Sequence, residues 1–441
     1  MKTLILPMHG LGGGADLPIP ASLAIAAGTA ALTLSFVVLL LAWQKPRFGD
    51  GRGERPVPTA LAQILDSTGW SLLLRAVGLA VFCFMLWPAL FGPDSLINPT
   101  FGVIYVWLWV GIVPASLLFG RVYRAISPVR TLHLMLARAT GQPPSQGLRE
   151  YPTWLGYWPA AIGLFAFVWL ELVSPDSTYL GPLRLWMACY LAAMVVGSAF
   201  FGDRWLERAD PFEVYSTLLA HLSPWGRDEA GHLVWMSPLR HLSRIPAEGG
   251  LVAVVAVLLG STAYDSWRDS ATWIRFVQDS NISQTTLGTL ALLAAILIVG
   301  LTFAAASMAT GVEHIHRWQI PRLLAHSVVP IIVGYMIAHY LSFLVQTGQQ
   351  TLIQLSDPMG DGSNLFGTAN WEASYWLAQH PTFLATTKVL AIVTGHVLGV
   401  IAAHDRALEI LPKRHQVTGQ LPLLAAMVLY TFMGLYLLFG S

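Results

Sequence analysis

The sequence predicts an all-α fold, a polytopic membrane helix bundle of about ten transmembrane helices, and three observations predict it. Charged residues make up only 11% of the 441-residue chain and hydrophobic residues 55%, with a mean hydropathy of +0.58. A soluble domain carries about 25% charged residues, so lipid must supply much of the solvent of a body this large. Apolar runs of about 20 residues, the length that crosses the hydrocarbon core, recur along the chain. Lys and Arg then collect in alternate connecting loops, as expected when positive loops stay in the cytoplasm.

In chain order, residues 1–20 (MKTLILPMHGLGGGADLPIP) form an external tail whose Gly and Pro argue against regular structure. The first long apolar run begins near Ala21 and continues into a full span, so it reads as an uncleaved anchor and not a signal peptide. Residues 21–441 read as a single transmembrane helical domain, with spans near 21–43, 71–92, 101–123, 154–174, 183–201, 249–267, 284–310, 323–345, 384–404 and 421–440. The loops after spans 1, 3, 5, 7 and 9 hold most of the basic residues, among them Lys45, Arg47, Arg121, Arg124, Arg130, Arg204, Arg208, Arg317 and Lys413. The tails and the other loops hold only Lys2, Arg184, Arg268 and Arg275. This places both termini outside, on the periplasmic side of a bacterial inner membrane.

Two of the basic loops resemble each other. FGRVYRAISPVRTLHLMLAR follows span 3, and FGDRWLERADPFEVYSTLLAHLSP follows span 5. Each starts with Phe-Gly, passes through basic residues to Ser-Pro or Asp-Pro, and ends in an amphipathic stretch. They predict interfacial helices on the cytoplasmic side and suggest a duplicated helix pair. The external loop at 346–383 contains SDPMGDGSNLFGTANWE, too polar and Gly-rich for a span. Long loops of this kind are usually functional, often lids. Asp357, Asp361 and Asn364 could bind a hard cation there, although their spacing is not that of a calcium hand.

With a net charge of +1, no nucleic-acid footprint is visible. The two cysteines, Cys83 and Cys189, lie in apolar runs and imply neither disulfides nor a thiolate metal site. No phosphate-binding loop, Gly-x-Ser-x-Gly elbow or His-Glu-x-x-His helix is present.

Ionisable groups within spans are costly and usually face a bundle interior. They are Glu171 on span 4, Asp265 on span 6, His339 on span 8, and Lys388 and His396 on span 9. Tyr335, His339, Ser342 and Gln346 follow a helical spacing and form a polar stripe that must face protein or water. From a rise of about 1.5 Å per residue, Asp265 and Glu171 lie within about 5 Å of the outer ends of their helices. His339 lies roughly 9 Å and His396 about 18 Å below theirs. The tail brings His9 to the same side. His9, Asp265, His339 and His396 are therefore candidate ligands for zinc, iron, copper or manganese, with haem a further candidate for the histidines. Asp265 or Glu171 could serve as general base. The structural reading of the same residues is charge pairing by Lys388 and hydrogen bonding across the bundle by His339. Glu313, His314, His316, His326, His404 and Asp405 form a second, cytoplasmic group, either a wet interfacial loop or a metal or proton entry site.

Several strings carry a family resemblance: His9-Gly10-Leu11-Gly12-Gly13 with Asp16-Leu17-Pro18, STAYDSW around Asp265, IAHYLSFLVQTGQ around His339, SDPMGDGSNLFGT, and GHVLGVIAAHDRAL around His396 and His404. In these the chain resembles the bacterial integral membrane proteins known as fenitrothion hydrolase-like. The resemblance implies hydrolysis of an organophosphorus triester, an apolar small-molecule substrate that partitions into the lipid bilayer. It brings no catalytic residues with it. Two readings of function follow. One is a membrane-embedded metal-dependent hydrolase, in which the ion activates a water. The other is a metal- or haem-binding membrane protein for transport or for electron or proton transfer. An enzyme would gather its polar groups at one depth, and a carrier would spread them along the membrane. A third is an accessory subunit, its polar faces covered by a membrane protein partner or a second copy of the chain.

Overall fold

The computed structural model describes residues 13–48, 53–310 and 315–439. His9, Glu313 and His314 lie outside them. The described chain is helical apart from a small sheet, and seven of its helical segments are long and apolar enough to cross a membrane. In a bilayer the helix satisfies its own backbone polar groups, so apolar runs of this length fold this way.

The helices that matter below are α1 (Ala21–Ala42), α2 (Thr68–Phe91), α3 (Ile112–Phe119), α4 (Val122–Ile126), α5 (Pro128–Thr140), α6 (Trp158–Leu172), α7 (Leu180–Phe201), α8 (Asp203–Ala209), α9 (Pro211–Ala220), α10 (Pro238–Leu242), α11 (Leu251–Arg268), α12 (Gln284–Met308), α13 (Val329–Gln354), α14 (Pro381–Ile410) and α15 (Leu421–Phe439). Each of the ten expected spans contains a helix. The run at 101–123 is a bent pair, Pro99–Leu108 and α3, which meet at 45° and would make an eighth crossing. Its first part is π-helical over Gly102–Leu108. The helices at 154–174 and 249–267 are shorter, 15 and 18 residues. The run at 183–201 is a helix of 22 residues. The loop expected at 346–383 is shorter than that, because α13 continues through the Gln- and Thr-rich stretch to Gln354.

The chain divides into two compact units. Unit 1 is Met1–Pro46, Leu258–Ser356 and Asn364–Ser441; unit 2 is Arg47–Val257 and Asp357–Ser363. In unit 1, α13 is the central helix, buried on nearly all sides, while α12 is mostly exposed and presents apolar surface suited to lipid. The contact of α13 with α14 is close because glycines face backbone. A Cβ on Gly395 would lie 2.5 Å from Pro330 O, one on Gly399 2.7 Å from Ser327 O, and one on Gly334 2.6 Å from Ala391 O. Gly395 and Gly399 form the small-x-x-x-small spacing that lets membrane helices approach. His396 sits inside that motif and is held at the interface by it.

In unit 2 the two similar segments fold alike. Phe119-Gly120 and Phe201-Gly202 end α3 and α7, with the glycines at φ 77° and 64°, conformations that favour glycine. A short helix follows each, α4 or α8. Ser127 and Asp210 then cap α5 and α9, each followed by Pro at the first helical position. Counted from the caps, Arg124 matches Glu207 and Arg130 matches Glu213, and these equivalent residues pair. Arg130 Nε lies 2.6 Å from Glu213 Oε2 and its second amino group 2.6 Å from Oε1, while Arg124 lies 2.9 Å from Glu207. Both ends of the Arg130–Glu213 fork are buried, 5% and 1% exposed. A three-stranded antiparallel sheet, β1 (Arg55–Pro56), β2 (Trp225–Arg227) and β3 (Leu233–Trp235), in the order β1-β3-β2, also belongs to unit 2.

Candidate functional site

The polar stripe of α13 is buried along its length: Tyr335, His339, Ser342 and Gln346 are all within the protein. So are Ser261, Thr262 and Asp265 on α11. Thr262 hydroxyl, 3.9 Å from Met336 Sδ, marks where α11 meets α13. One turn further along, the two stripes meet in a hydrogen-bonded cluster. Asp265 is fully buried. His339 Nε2 lies 2.8 Å from its Oδ2, and Tyr340 donates its hydroxyl to the same oxygen at 2.8 Å. Arg268, one turn on, faces the other oxygen at 2.8 Å. On its far side His339 Nδ1 lies 3.2 Å from Ser266 Oγ, and that hydroxyl also reaches the Thr262 carbonyl at 3.0 Å.

These contacts make His339 adaptable. As neutral imidazole it donates from Nε2 to Asp265 and accepts the Ser266 proton at Nδ1. As imidazolium it donates from both nitrogens, and the Ser266 proton turns to the Thr262 carbonyl. Both states use the same heavy-atom positions, because the serine has two acceptors within reach.

His396 shares unit 1 but has different neighbours. Its Nδ1 is held by the Ile392 carbonyl at 2.9 Å, and its ring lies edge-on to Tyr335, centroids 5.8 Å apart. Its Nε2 is buried and has no hydrogen-bond partner among the described residues. The same holds for both side-chain polar atoms of Gln346. Tyr335 donates to the Tyr430 carbonyl on α15. Lys388 is buried on α14, where the charge of Asp16 from the short turn Gly14–Asp16 acts on it. Toward the other end of α14, His404 lies 2.8 Å from Gln420 Oε1 and 2.9 Å from the Trp43 carbonyl, and Trp43 donates its indole N–H to Asp405. His326 lies on the 3-10 turn Ala325–Val328 with its Nδ1 3.0 Å from the Leu323 carbonyl.

Of the expected site residues, the structure therefore joins Asp265 and His339 directly and places His396 beside Tyr335, one turn along α13. Glu171 is in the last turn of α6, in unit 2. Among the described residues no group of three or more His, Cys, Asp and Glu side chains is arranged to hold a metal ion. The expected cation loop uses its carboxylates on its own backbone. Asp357 accepts from the Asp361 and Gly362 amides at 3.0 Å each, and those bonds hold its carboxyl below the usual range. Asn364 accepts from the Ala369 amide. Ser266 and Tyr340 were not foreseen as site residues. Their adjacency to Asp265 and His339 in sequence is a weak signal, since neighbours on a helix point about 100° apart.

No family model, no curated protein and no solved structure matches the chain.

Proposed function

We propose that the protein moves protons, or a small solute coupled to protons, through unit 1, with the Asp265–His339 pair as its protonatable centre. The observation that carries this reading is the hydrogen-bond pattern around His339, which accepts either protonation state without displacing a heavy atom. The distribution of polar groups supports it. In the ten-span topology with both termini outside, Gln346 lies toward the outer side, then Asp265 and His339, then Tyr335 with His396, and His404 with Asp405 at the inner end. His339 and Tyr335 are about 6 Å apart along α13, and His396 and His404 about 12 Å along α14. Steps of that size need bridging water. The unpartnered Nε2 of His396 and the unpartnered amide of Gln346 are polar atoms of the kind such waters satisfy. A path spread through the depth of the bundle suits transfer better than a single reaction centre.

The test is proton flux in proteoliposomes carrying a pH-sensitive dye, after an imposed potential. The wild type should conduct above empty liposomes, and Asp265→Asn, which keeps the shape and removes the acid, should lower that flux by roughly tenfold or more. Equal flux in the variant removes the pair from the path.

One contact favours the hydrolase as a second reading. Ser266, His339 and Asp265 stand in the order of a nucleophile, a base and an orienting acid. If Ser266 attacks a triester, Ser266→Ala should abolish nitrophenol release, and chelation should leave it unchanged. The metal-dependent form, with His9, Asp265, His339 and His396 as ligands, predicts the reverse pattern.

A further inference from the structure

Unit 2 contains a cavity of about 450 Å³, within the size range of small-molecule sites. The segment after α3, helices α8 and α9, the β2–β3 hairpin and the stretch around Arg244 form its walls. Arg121, Arg124, Arg208, Arg227 and Arg244 line it. Four of these guanidinium groups are fixed by carboxylates. Arg124 pairs with Glu207, and Arg208 with Glu248 at 2.7 Å while lying 4.7 Å from the Tyr157 ring centre. Arg227 pairs with Asp66, and Arg244 with Glu54. Arg121 is the exception: among the described residues it makes no ion pair. Burial, and then the neighbouring charge of Arg124, lower its pKa from the ordinary value. Its cation is thus held in surroundings that an incoming anion would relieve.

The remaining wall adds an acceptor. His221 and His241 lie with ring centroids 4.6 Å apart, tilted at 38°, and burial pushes both down, His241 to about 4. Both rings are therefore neutral at physiological pH. His241 is 6% exposed, and its Nδ1 is buried without a hydrogen-bond partner among the described residues. With the ring proton on Nε2, Nδ1 has an unused lone pair, and beside an unpaired guanidinium it calls for a ligand carrying both anionic oxygens and a hydroxyl. A singly ionised phosphate monoester, the form populated at and below its second pKa of about 6, has both, whereas sulfate has no hydroxyl.

We propose that this cavity binds a phosphate monoester group, with Arg121 as the principal cation and His241 Nδ1 accepting the phosphate hydroxyl. The cavity is larger than a bare phosphate, so the ligand carries a further moiety. That moiety is either a soluble phosphorylated metabolite or the headgroup of a lipid such as phosphatidic acid.

The test uses the full chain in phosphatidylcholine nanodiscs. Inorganic phosphate and a short-chain phosphatidic acid are titrated separately by calorimetry, with sulfate as the matched anion. Saturable binding of phosphate or phosphatidic acid in preference to sulfate supports the site. Binding of both phosphate and phosphatidic acid points to a soluble ligand or a lipid recognised by the head alone, and binding of phosphatidic acid only points to the lipid. Arg121→Gln should weaken binding by roughly tenfold or more, and Arg275→Gln, an arginine on another surface, should not. No preference over sulfate, or an Arg121→Gln variant that binds as the wild type does, overturns the proposal. If Arg121→Gln does not fold, the melting temperature of the unaltered protein decides. A rise specific to phosphate supports the site, and equal rises with phosphate and sulfate at matched ionic strength overturn it.

Discussion

Gly395→Ala tests the packing that brings the α13 and α14 histidines into one interior. The added methyl would sit 2.5 Å from the Pro330 carbonyl oxygen, about 0.5 Å closer than the 3.0 Å that real contacts respect. The opposing atom is backbone, so it cannot swing aside as a side chain would, and the two helices must part locally. Overpacking of this kind costs about 1–3 kcal/mol. Alanine returns up to about 1 kcal/mol of helix propensity, which leaves a net loss of about 1 kcal/mol. Gly181→Ala on α7 is the control, because a Cβ there meets nothing within 4 Å. Near the helix start and directly before Pro182 it gains little from propensity, so the two variants should differ by about 1 kcal/mol. Denaturant unfolding in mixed micelles, read by tryptophan fluorescence, measures the difference. Gly395→Ala as stable as Gly181→Ala would refute the claim that glycine-to-backbone contact sets the helix spacing.

Three further outcomes follow from named contacts. Arg130→Ala leaves Glu213 buried with, among the described residues, only the 3.5 Å contact to Arg124, also removes the 3.0 Å pair with Asp203, and should cost about 3 kcal/mol. Glu213→Gln should cost less in the Arg130→Ala protein than it does alone in the same unfolding assay, and additive costs would count against a direct pairing. Burial, then the charge of Glu213, raises the Asp210 carboxyl from 3.8 to about 7. The folded state therefore holds a proton that the unfolded state releases, and this stabilisation, complete below the unfolded value, is lost as pH rises through about 7. Asp210→Asn keeps an equivalent cap and should gain stability over the wild type between pH 5 and pH 8; identical pH profiles would contradict the shift. For the metal reading, His339→Ala should lower the metal-to-protein ratio by elemental analysis, and an unchanged ratio removes His339 as a ligand.

Much of this architecture is legible in the sequence. Apolar runs such as 284–310 mark helices because only a helix lets such a run satisfy its backbone in lipid. The Ser127-Pro128 and Asp210-Pro211 pairs mark caps because Pro at the first helical position gives up no hydrogen bond. The meeting of Asp265 with His339 follows from cost: two polar groups on apolar helices must find partners, and each suits the other. Pairings between distant segments were not legible. Nothing local to Arg130 names Glu213, and the segments after α3 and α7 read as basic interfacial helices, although Arg130 and Glu213 are buried. The hydroxyl of Ser266 looks like one more small residue on α11 until the position of His339 is known. The spread of His339, His396 and His404 along the bundle could be reckoned from helix rise, but which face each one turned to depended on Gly395 and Gly399, whose role appears only against Pro330 and Ser327.

The central claim is that the buried polar groups of unit 1 act in series. His396→Phe tests it most directly, because His396 lies away from the Asp265 cluster and its Nε2 holds no bond within the described structure. Proton flux through proteoliposomes of the folded variant should fall as far as it does with Asp265→Asn. Flux at the wild-type level in His396→Phe would contradict it.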